Sequence, residues 1–268
     1  MKLKGAKIII TGAGGGIGSE VAQKLAAQGA QLALLGRDDP ELHRVAERVK
    51  EVSAKSIMIP VDLLDAQGRF DAIDQSIKQL KGVDVLINSA GILSFRPFAE
   101  EDPEMINRIV QLNTLVPMQL ARQVVNRMIA QGSGQIVNVG STFGSIAFAW
   151  FAAYSTSKFG LRGFSEALRR ELEGTGVGVT YVAPRAVKTK LNSSAIYRMA
   201  EAVKMNMDEP EWVAERIVDA IEKGRKDVYL GFPESLFVRI NALLPRLVDG
   251  ALRKQNHKMM AFSKEGVS

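Results

Sequence analysis

Two side chains with complementary acid–base chemistry, Tyr154 and Lys158, stand four residues apart. The segment 154–173 has helical periodicity, so the phenol and the ammonium should project from one helical face. A free phenol has a pKa of about 10 and is a poor acid at neutral pH unless a nearby positive charge favours the phenolate. Lys158 could supply that charge and make the pair a proton donor. The alternative is an ordinary surface pair.

Two further polar residues, Ser141 and Asn113, fall where they could assist such a donor. Ser141 follows a predicted strand, and the carboxyl ends of parallel strands face the ligand crevice; otherwise it is a turn or capping serine. Asn113 lies inside a predicted helix. Pro117, four residues later, has no N–H, so the Asn113 carbonyl loses its helical partner and could hold a water. The alternative is a proline kink that serves packing.

A glycine-rich segment, Thr11-Gly-Ala-Gly-Gly-Gly-Ile-Gly18, separates the first predicted strand from the first predicted helix. Glycines allow a tight turn and let backbone N–H groups approach a pyrophosphate at the positive helix N-terminus. Between a strand and a helix, this pattern favours dinucleotide binding over a plain turn.

The residue after the second strand indicates which dinucleotide binds. An NAD site usually has an acid there for the ribose 2′-hydroxyl, whereas this chain has Gly36 and Arg37. Arginine suits a 2′-phosphate through a forked, charge-assisted contact. Asp38 and Asp39 could cap the next helix or weaken the preference. We therefore expect NADP(H), with NAD(H) as the alternative.

Short apolar runs alternate with longer amphipathic ones. Seven candidate strands lie at 7–10, 31–35, 56–61, 83–88, 135–139, 177–183 and 227–230, and six candidate helices at 17–28, 40–52, 66–79, 103–130, 154–173 and 211–223. The alternation predicts an α/β fold: a single doubly wound, parallel, seven-stranded sheet of Rossmann type with helices on both faces. Residues 1–232 should form one domain, followed by a C-terminal helical extension, 233–268.

Composition narrows the function classes. The chain of 268 residues has no cysteine and only two histidines, so we expect no disulfide, no metal and a reducing, cytoplasmic compartment. The net charge of +6 is spread along the chain, so we expect no nucleic-acid partner. No apolar run reaches the roughly 18 residues of a membrane span.

In order and spacing, these motifs resemble the short-chain dehydrogenase/reductase family over residues 5–230. Asp62 matches the family's adenine-contacting aspartate, and Asn88-Ser-Ala-Gly91 matches its Asn-Asn-Ala-Gly motif with serine at the second position. The segment 184–189 matches the Pro-Gly segment that covers the nicotinamide, except that Arg185 replaces the glycine. Arg185 could narrow the pocket, bind an acidic substrate group or point to solvent.

The resemblance implies a catalytic set of Asn113, Ser141, Tyr154 and Lys158. Tyr154 would donate the proton, Lys158 would stabilise the phenolate and hold the nicotinamide ribose, Ser141 would bind the oxyanion, and Asn113 would hold a relay water. The implied cofactor-binding residues are Thr11, Gly12, Gly14, Gly16, Ile17, Gly18, Arg37, Asp62, Leu63, Asn88, Ala90, Gly91, Tyr154, Lys158, Pro184, Val187 and Thr189. A homodimer or homotetramer through the helices of Asn113 and Tyr154 is also implied.

The implied activity is hydride transfer between NADP(H) and a hydrophobic ketone, aldehyde or secondary alcohol, in the direction of carbonyl reduction. The alternatives are a 3-oxoacyl-thioester reductase, a hydroxysteroid-type dehydrogenase and a nucleotide-sensing binding protein without turnover. The family places a variable substrate lid at about 190–212. Its apolar residues could cover a hydrophobic substrate or simply pack as a helix. These residues, with the aromatic ones before Tyr154, are Ile196, Tyr197, Met199, Met205, Met207, Phe143, Phe148, Trp150 and Phe151.

The extension carries an apolar stripe flanked by cations. The stripe consists of Leu236, Ile240, Leu243, Leu244, Leu247 and Ala251, and the flanking residues are Arg239, Arg246, Arg253 and Lys254. A basic amphipathic helix can lie on an anionic membrane surface, which would make the protein peripheral to a membrane. The interpretation we favour is that the stripe is buried against its own domain or a partner subunit.

Overall fold

Seven parallel strands form one sheet at the centre of the protein, in a computed structural model that describes residues 1–265. Within residues 1–265 there are nine strands, seven in this sheet and two in a separate pair. In chain order they are β1 (Lys7–Thr11), β2 (Gln31–Gly36), β3 (Ile57–Pro60), β4 (Val85–Asn88), β5 (Gly134–Val139), β6 (Val177–Ala183), β7 (Ala186–Val187), β8 (Met207–Asp208) and β9 (Asp227–Tyr229). The large sheet has the order β3-β2-β1-β4-β5-β6-β9, and β7 and β8 form a separate pair. This order confirms the predicted doubly wound architecture.

Helices cover both faces of the sheet. They are α1 (Gly16–Ala27), α2 (Pro40–Val52), α3 (Ala66–Leu80), α4 (Pro103–Val110), α5 (Val116–Gln131), α6 (Ala152–Glu171), α7 (Ser194–Ala202), α8 (Pro210–Glu222), α9 (Glu234–Leu243) and α10 (Pro245–Ser263). Successive side chains of a strand point to opposite faces. Accordingly, Ile8 and Ile10 pack with α1, α2 and α8, whereas Ile9 packs with α3 and α5.

Aspartate side chains cap the N-termini of two helices that follow strands, and so define where those helices begin. Asp39 accepts the Leu42 N–H at the start of α2, and Asp65 accepts the Gln67 N–H at the start of α3. Each cap satisfies a backbone donor that the first helical turn leaves without a partner. The helix α1 has no such cap. Its N-cap is Gly15, which offers no side-chain acceptor, and no acidic residue lies in its first turn.

The helix predicted at 103–130 is interrupted. Between α4 and α5 the segment Gln111–Leu115 forms a π-helical turn, in which the Val116 N–H donates to the Gln111 carbonyl five residues earlier. Pro117 explains the change, because it has no N–H for the Asn113 carbonyl at the ordinary four-residue spacing. The irregularity that Pro117 predicts at Asn113 is present, and it takes the form of a π-helical turn that divides the predicted helix into α4 and α5.

The extension folds as two helices instead of one amphipathic stripe. The backbone breaks at Leu244, and Pro245 opens α10. The inner side of α10 packs back onto α7. Within residues 1–265, none of the helices combines the length and apolarity needed to cross a bilayer.

Candidate active site

The carboxyl ends of four neighbouring strands meet at one edge of the sheet. Thr11 ends β1, Asn88 ends β4, Ser141 follows β5 and Pro184 follows β6. The turn at the start of α6 places Tyr154 against this edge. In a doubly wound sheet this edge is where ligands bind.

Tyr154, Lys158 and Ser141 form the reactive centre of this edge. Lys158 is buried, and its Nζ donates to the Val139 carbonyl at 3.1 Å and lies 5.6 Å from the centre of the Tyr154 ring. The side chains of Ser141 and Tyr154 are hydrogen-bonded. One turn of α6 and the end of β5 therefore bring a phenol, an amine and a hydroxyl together.

Burial dominates the electrostatics of the pair. Loss of solvation raises the pKa of Tyr154 to about 12, and the hydrogen bond with Ser141 acts in the opposite direction. The same loss of solvation lowers the pKa of Lys158 to about 8. Burial therefore keeps the phenol protonated at neutral pH in this arrangement, and the expected effect of the Lys158 charge on the phenolate stays a prediction.

Asn113 is enclosed in the π-helical turn, and its side chain is fully committed. Its Oδ1 accepts the Ile92 N–H at 3.0 Å, while its Nδ2 donates to the Ile92 carbonyl at 2.9 Å and to Ser157 Oγ at 3.0 Å. Ser157 Oγ in turn donates to the Tyr154 carbonyl at 2.7 Å. Since the amide is occupied, the backbone carbonyl is the group that Asn113 could offer to a water.

Tyr181, on β6, holds the Ser141 backbone in place and was missed by sequence reasoning. Its hydroxyl donates to the Ser141 carbonyl at 3.0 Å and accepts the Ser141 N–H at 3.3 Å. A Cβ at Gly140 or Gly144 would lie within 2.4 Å of the Tyr181 side chain, so both positions must be glycine to admit the ring. The pattern Gly140-Ser-x-x-Gly144 could have indicated that a bulky side chain packs against this turn. It could not have identified Tyr181, which lies 40 residues after Ser141 in the sequence.

The glycine turn fits a dinucleotide pyrophosphate. Gly12 has a φ of +66°, and a Cβ there would lie 2.8 Å from the Ala90 backbone; a Cβ at Gly16 would lie 2.5 Å from Thr189 Cγ2. A Cβ at Gly18 would meet the Gly12 carbonyl at 2.1 Å. Together with the uncapped start of α1, these contacts leave a tight cradle lined by backbone N–H groups, which suits an anion.

The predicted residues Gly14 and Ile17 lie in this same turn. A Cβ at Gly14 would approach the Leu42 backbone to 3.0 Å. Ile17 is partly buried against the core beneath α1. Both residues therefore contribute to the packing of the turn against the protein core.

Asn88 lies at the floor of the crevice and ties two strand ends together. Its Nδ2 donates to Asn138 Oδ1 at 2.8 Å, and Asn138 donates to Ser165 Oγ. Thr11 Oγ1 accepts the backbone N–H groups of Ser89 and Ala90. Within the described part of the chain, the buried Asn88 Oδ1 has no hydrogen-bond partner. A buried acceptor without a partner in this crevice also fits a site that holds a ligand.

Gly91 explains how Asn113 and Lys158 can approach each other. A Cβ at this position would lie 3.2 Å from Asn113 Oδ1 and 3.7 Å from Lys158 Nζ. The backbone after β4 therefore runs between Lys158 and the π-helical turn.

Arg37, Asp62 and Leu63 lie at the other end of the crevice, after the adjacent strands β2 and β3. Arg37 and Asp62 are exposed, and Asp62 accepts the Leu64 N–H at 2.9 Å. Leu63 is buried. Neither acid after Arg37 is free, because Asp39 caps α2 and Asp38 pairs with His43 at 2.7 Å.

The segment after β6 crosses toward the glycine turn. The Pro184 carbonyl accepts the Thr142 N–H, Val187 is buried, and the Thr189 side chain packs on Gly16. Hence the cofactor candidates from the two halves of the chain, at 11–18 and 184–189, lie on opposite sides of one crevice.

Arg185 takes none of the three roles considered for it. It forms ion pairs with Asp208 at 2.7 Å and Glu234 at 2.9 Å, and it donates to the Phe232 carbonyl at 3.2 Å. Hydrogen bonds with these carboxylates raise the pKa of the guanidinium, Asp208 having the largest effect. Arg185 therefore fastens β8 and the start of α9 to the end of β6.

A cluster of aromatic and aliphatic side chains lies beside Tyr154. The Phe143 ring packs edge-on against Tyr154, with 5.9 Å between ring centres, and stacks on Phe148. The cluster also contains Phe95, Phe151, Ile196, Met199, Met205, Trp150, Met259 and Phe262. The last two belong to α10, a contribution that sequence reasoning missed. An apolar group held here would contact the reacting phenol.

Comparison with known proteins identifies the family. The family model "short chain dehydrogenase" matches residues 6–199, which is well over half of the chain. The protein belongs to the short-chain dehydrogenase/reductase family. Members of this oxidoreductase family use nicotinamide cofactors and act on small molecules, and they often form oligomers.

Individual relatives agree with this assignment. The ketoacyl reductase HetN of Nostoc sp. is 32% identical over 94% of this chain and 89% of its own length. Dehydrogenase/reductase SDR family member 7B of Bos taurus is 29% identical over 94% and 83%. A short-chain type dehydrogenase/reductase from Mycobacterium marinum, known from its crystal structure, has a TM-score of 0.79 at 26% identity, covering 85% of this chain and 95% of that one.

Proposed function

We propose that this short-chain dehydrogenase/reductase is an NADP(H)-dependent carbonyl reductase for hydrophobic ketones or aldehydes. The observation that carries the proposal is the Tyr154 phenol, which keeps its proton at neutral pH and adjoins both Ser141 and an apolar cluster. A protonated phenol is the acid that carbonyl reduction needs. The preference for NADP(H) argued from Arg37 supports the direction of reduction.

Each residue of the reactive centre then has one task. The Tyr154 hydroxyl gives its proton to the substrate oxygen, and the Ser141 hydroxyl donates a hydrogen bond to the same oxygen as negative charge develops there. The protonated form of Lys158 stabilises the phenolate that remains. A water on the Asn113 carbonyl returns a proton to Lys158 and Tyr154. NADPH, when bound, supplies the hydride for the carbonyl carbon.

The cofactor would be held along the whole crevice. The turn 11–18 and the start of α1 would bind the pyrophosphate, Asp62 and Leu63 the adenine, and the segments 88–91 and 184–189 the nicotinamide half. Arg37 favours NADP(H). Among residues 1–265 it forms no ion pair, whereas Asp38 and Asp39 each have another partner. The guanidinium is thus available for a 2′-phosphate.

The second candidate is a 3-oxoacyl-thioester reductase. It is favoured by the similarity to the ketoacyl reductase HetN and by the apolar cluster, which could receive an acyl chain. Activity on acyl-carrier thioesters, without activity on free ketones, would select this candidate. A hydroxysteroid-type activity has no specific observation in its favour. A nucleotide sensor without turnover would not need the assembled phenol, amine and hydroxyl.

We also propose a homodimer or homotetramer through α5, α6 and the π-helical turn, where Leu115, Met118 and Phe159 are exposed. The proposed domain division keeps 1–232 as the catalytic unit with its lid at 190–212, and 233–268 as the extension.

A cytoplasmic location is proposed from the absence of cysteine.

A panel of hydrophobic ketones, aldehydes and 3-oxoacyl thioesters tests the proposal. Oxidation of NADPH should accompany reduction of at least one free carbonyl compound, and NADH should be a poorer donor. Turnover confined to thioesters would replace the proposal by the second candidate. Faster turnover with NADH would contradict the assignment of the cofactor.

A further inference from the structure

The hairpin of α9 and α10 presents an exposed apolar tip, and we propose that this tip docks on an anionic lipid bilayer. The tip consists of Leu243, Leu244 and Leu247, which are 80%, 55% and 64% exposed. The inner residues of the same hairpin, Val238 and Val248, are buried against the domain. Packing within the protein therefore does not account for the tip. Of the predicted stripe, Ile240 packs against the domain, so burial against the protein's own domain accounts for only part of the stripe, and burial against a partner subunit stays a prediction.

Cations lie on the same helical faces as the tip. Arg239 is one turn before Leu243 on α9, and Lys254 and Lys258 are two and three turns after Leu247 on α10. All three cations are exposed. Long basic side chains can reach lipid phosphates while neighbouring leucines enter the acyl boundary. Apolar side chains between cations fit this boundary better than the polar surface of a nucleic acid.

The charge of the extension favours the same partner. Residues 233–268 contain six lysines and arginines but only three acids. Two of these acids pair with cations outside the extension, Glu234 with Arg185 and Glu265 with Arg198, and the third, Asp249, pairs with Arg246. The outer side of the hairpin is therefore strongly positive, and it should be attracted to an anionic surface.

A second copy of the chain fits the tip less well. A two-fold contact with its axis at the tip would bring the flanking cations toward the identical cations of the other copy. The exposed side chains Leu115, Met118 and Phe159 offer a separate apolar surface for self-association. Hence we assign the tip to a bilayer.

Docking would bring the reactive centre close to the lipid. The inner side of α10 places Met259 and Phe262 in the apolar cluster beside Tyr154. A hydrophobic carbonyl compound dissolved in the bilayer would then reach the cluster beside the helix that carries part of the docked tip. This consequence depends on the proposed function, whereas docking itself does not.

Vesicle flotation with the full chain tests the proposal. The protein should float with vesicles of phosphatidylcholine and phosphatidylglycerol and should not float with phosphatidylcholine alone. The variant L243S/L244S/L247S should lose at least about tenfold in affinity for the mixed vesicles. The variant R239Q/K254Q/K258Q should lose roughly fivefold for each cation removed, and added salt should weaken wild-type binding.

The matched control is V52S/F70S, which removes two exposed apolar side chains from α2 and α3, away from the tip. It should float like the wild type. All variants should keep the melting temperature and the turnover of a water-soluble carbonyl substrate. Failure of the wild type to float, or equal flotation of L243S/L244S/L247S, would overturn the proposal. If light scattering shows that this variant has lost a dimer, the tip is a contact between copies and the proposal is wrong.

Discussion

Lys158 should make the stability of the cofactor-free protein depend on pH in a way that one substitution removes. Burial lowers its pKa from 10.5 to about 8 in the folded state. Between these values the unfolded chain holds a proton that the folded protein has released. Stability rises with pH wherever the unfolded state binds more protons, so the free energy of unfolding should increase through this window.

The magnitude follows from the same two values. A difference of one pKa unit corresponds to about 1.4 kcal/mol, and the wild type should gain about 2.5 kcal/mol relative to K158M between pH 7 and pH 10. Tyr154 has the opposite effect above its ordinary value of 10.0, because its folded pKa is raised. The comparison should therefore stop at pH 10.

Urea unfolding of the wild type and K158M across this range measures the difference. Methionine keeps the length of the side chain and removes the charge, so other titrating groups cancel between the two proteins. The control K50M removes an exposed lysine from α2, and its difference from the wild type should not change with pH. Parallel curves for the wild type and K158M would refute the claim that Lys158 is buried with a lowered pKa.

Three further substitutions test individual contacts. Tyr181→Phe should reduce kcat about tenfold and leave the KM for NADPH unchanged, because only the support of Ser141 is lost; an unchanged kcat would remove Tyr181 from the site. Arg37→Ala should raise the KM for NADPH about tenfold with little effect on NADH, and equal effects on both would contradict its contact with the 2′-phosphate. Arg185→Ala should cost about 2 kcal/mol in urea unfolding and speed proteolysis of α9 and α10, while unchanged proteolysis would show that the ion pairs do not hold the extension.

The fold could be predicted because its signals are local. Alternating apolar runs gave the seven strands, and the glycine turn after β1 marked the start of α1. Local chemistry also explains the π-helical turn, since Pro117 removes one backbone donor. At this point the helical hydrogen bonds change from a four-residue to a five-residue spacing, between α4 and α5. This change depends on how the turn packs against α6, which the sequence does not show.

The electrostatics of the site could not be predicted in the same way. Spacing places Tyr154 and Lys158 on one face, but it does not show how deeply either is buried, and burial decides both pKa shifts. Tyr181 reaches Ser141 only because β5 and β6 pair in a register that places Asn138 beside it. The partners of Arg185 come from β8 and α9, which sequence periodicity does not bring together.

The extension shows a third limit. Helical periodicity identified its apolar residues and cations, yet it could not show which of them face the protein. The docking of α10 on α7 buries Met259 and leaves Leu243 and Leu247 exposed. Tertiary contacts therefore decide which apolar residues of the extension are buried and which form the exposed tip.

The central claim is that the Tyr154 hydroxyl delivers the proton in carbonyl reduction, and Tyr154→Phe tests it most directly. The variant should bind NADPH, seen by cofactor fluorescence, while its turnover of the best carbonyl substrate falls by at least about 100-fold. Tyr229→Phe is the matched control and should retain turnover, because among residues 1–265 the hydrogen bond of its hydroxyl is with Ser145, outside the reactive centre. Turnover near the wild-type rate in Tyr154→Phe, with NADPH bound, would contradict the account.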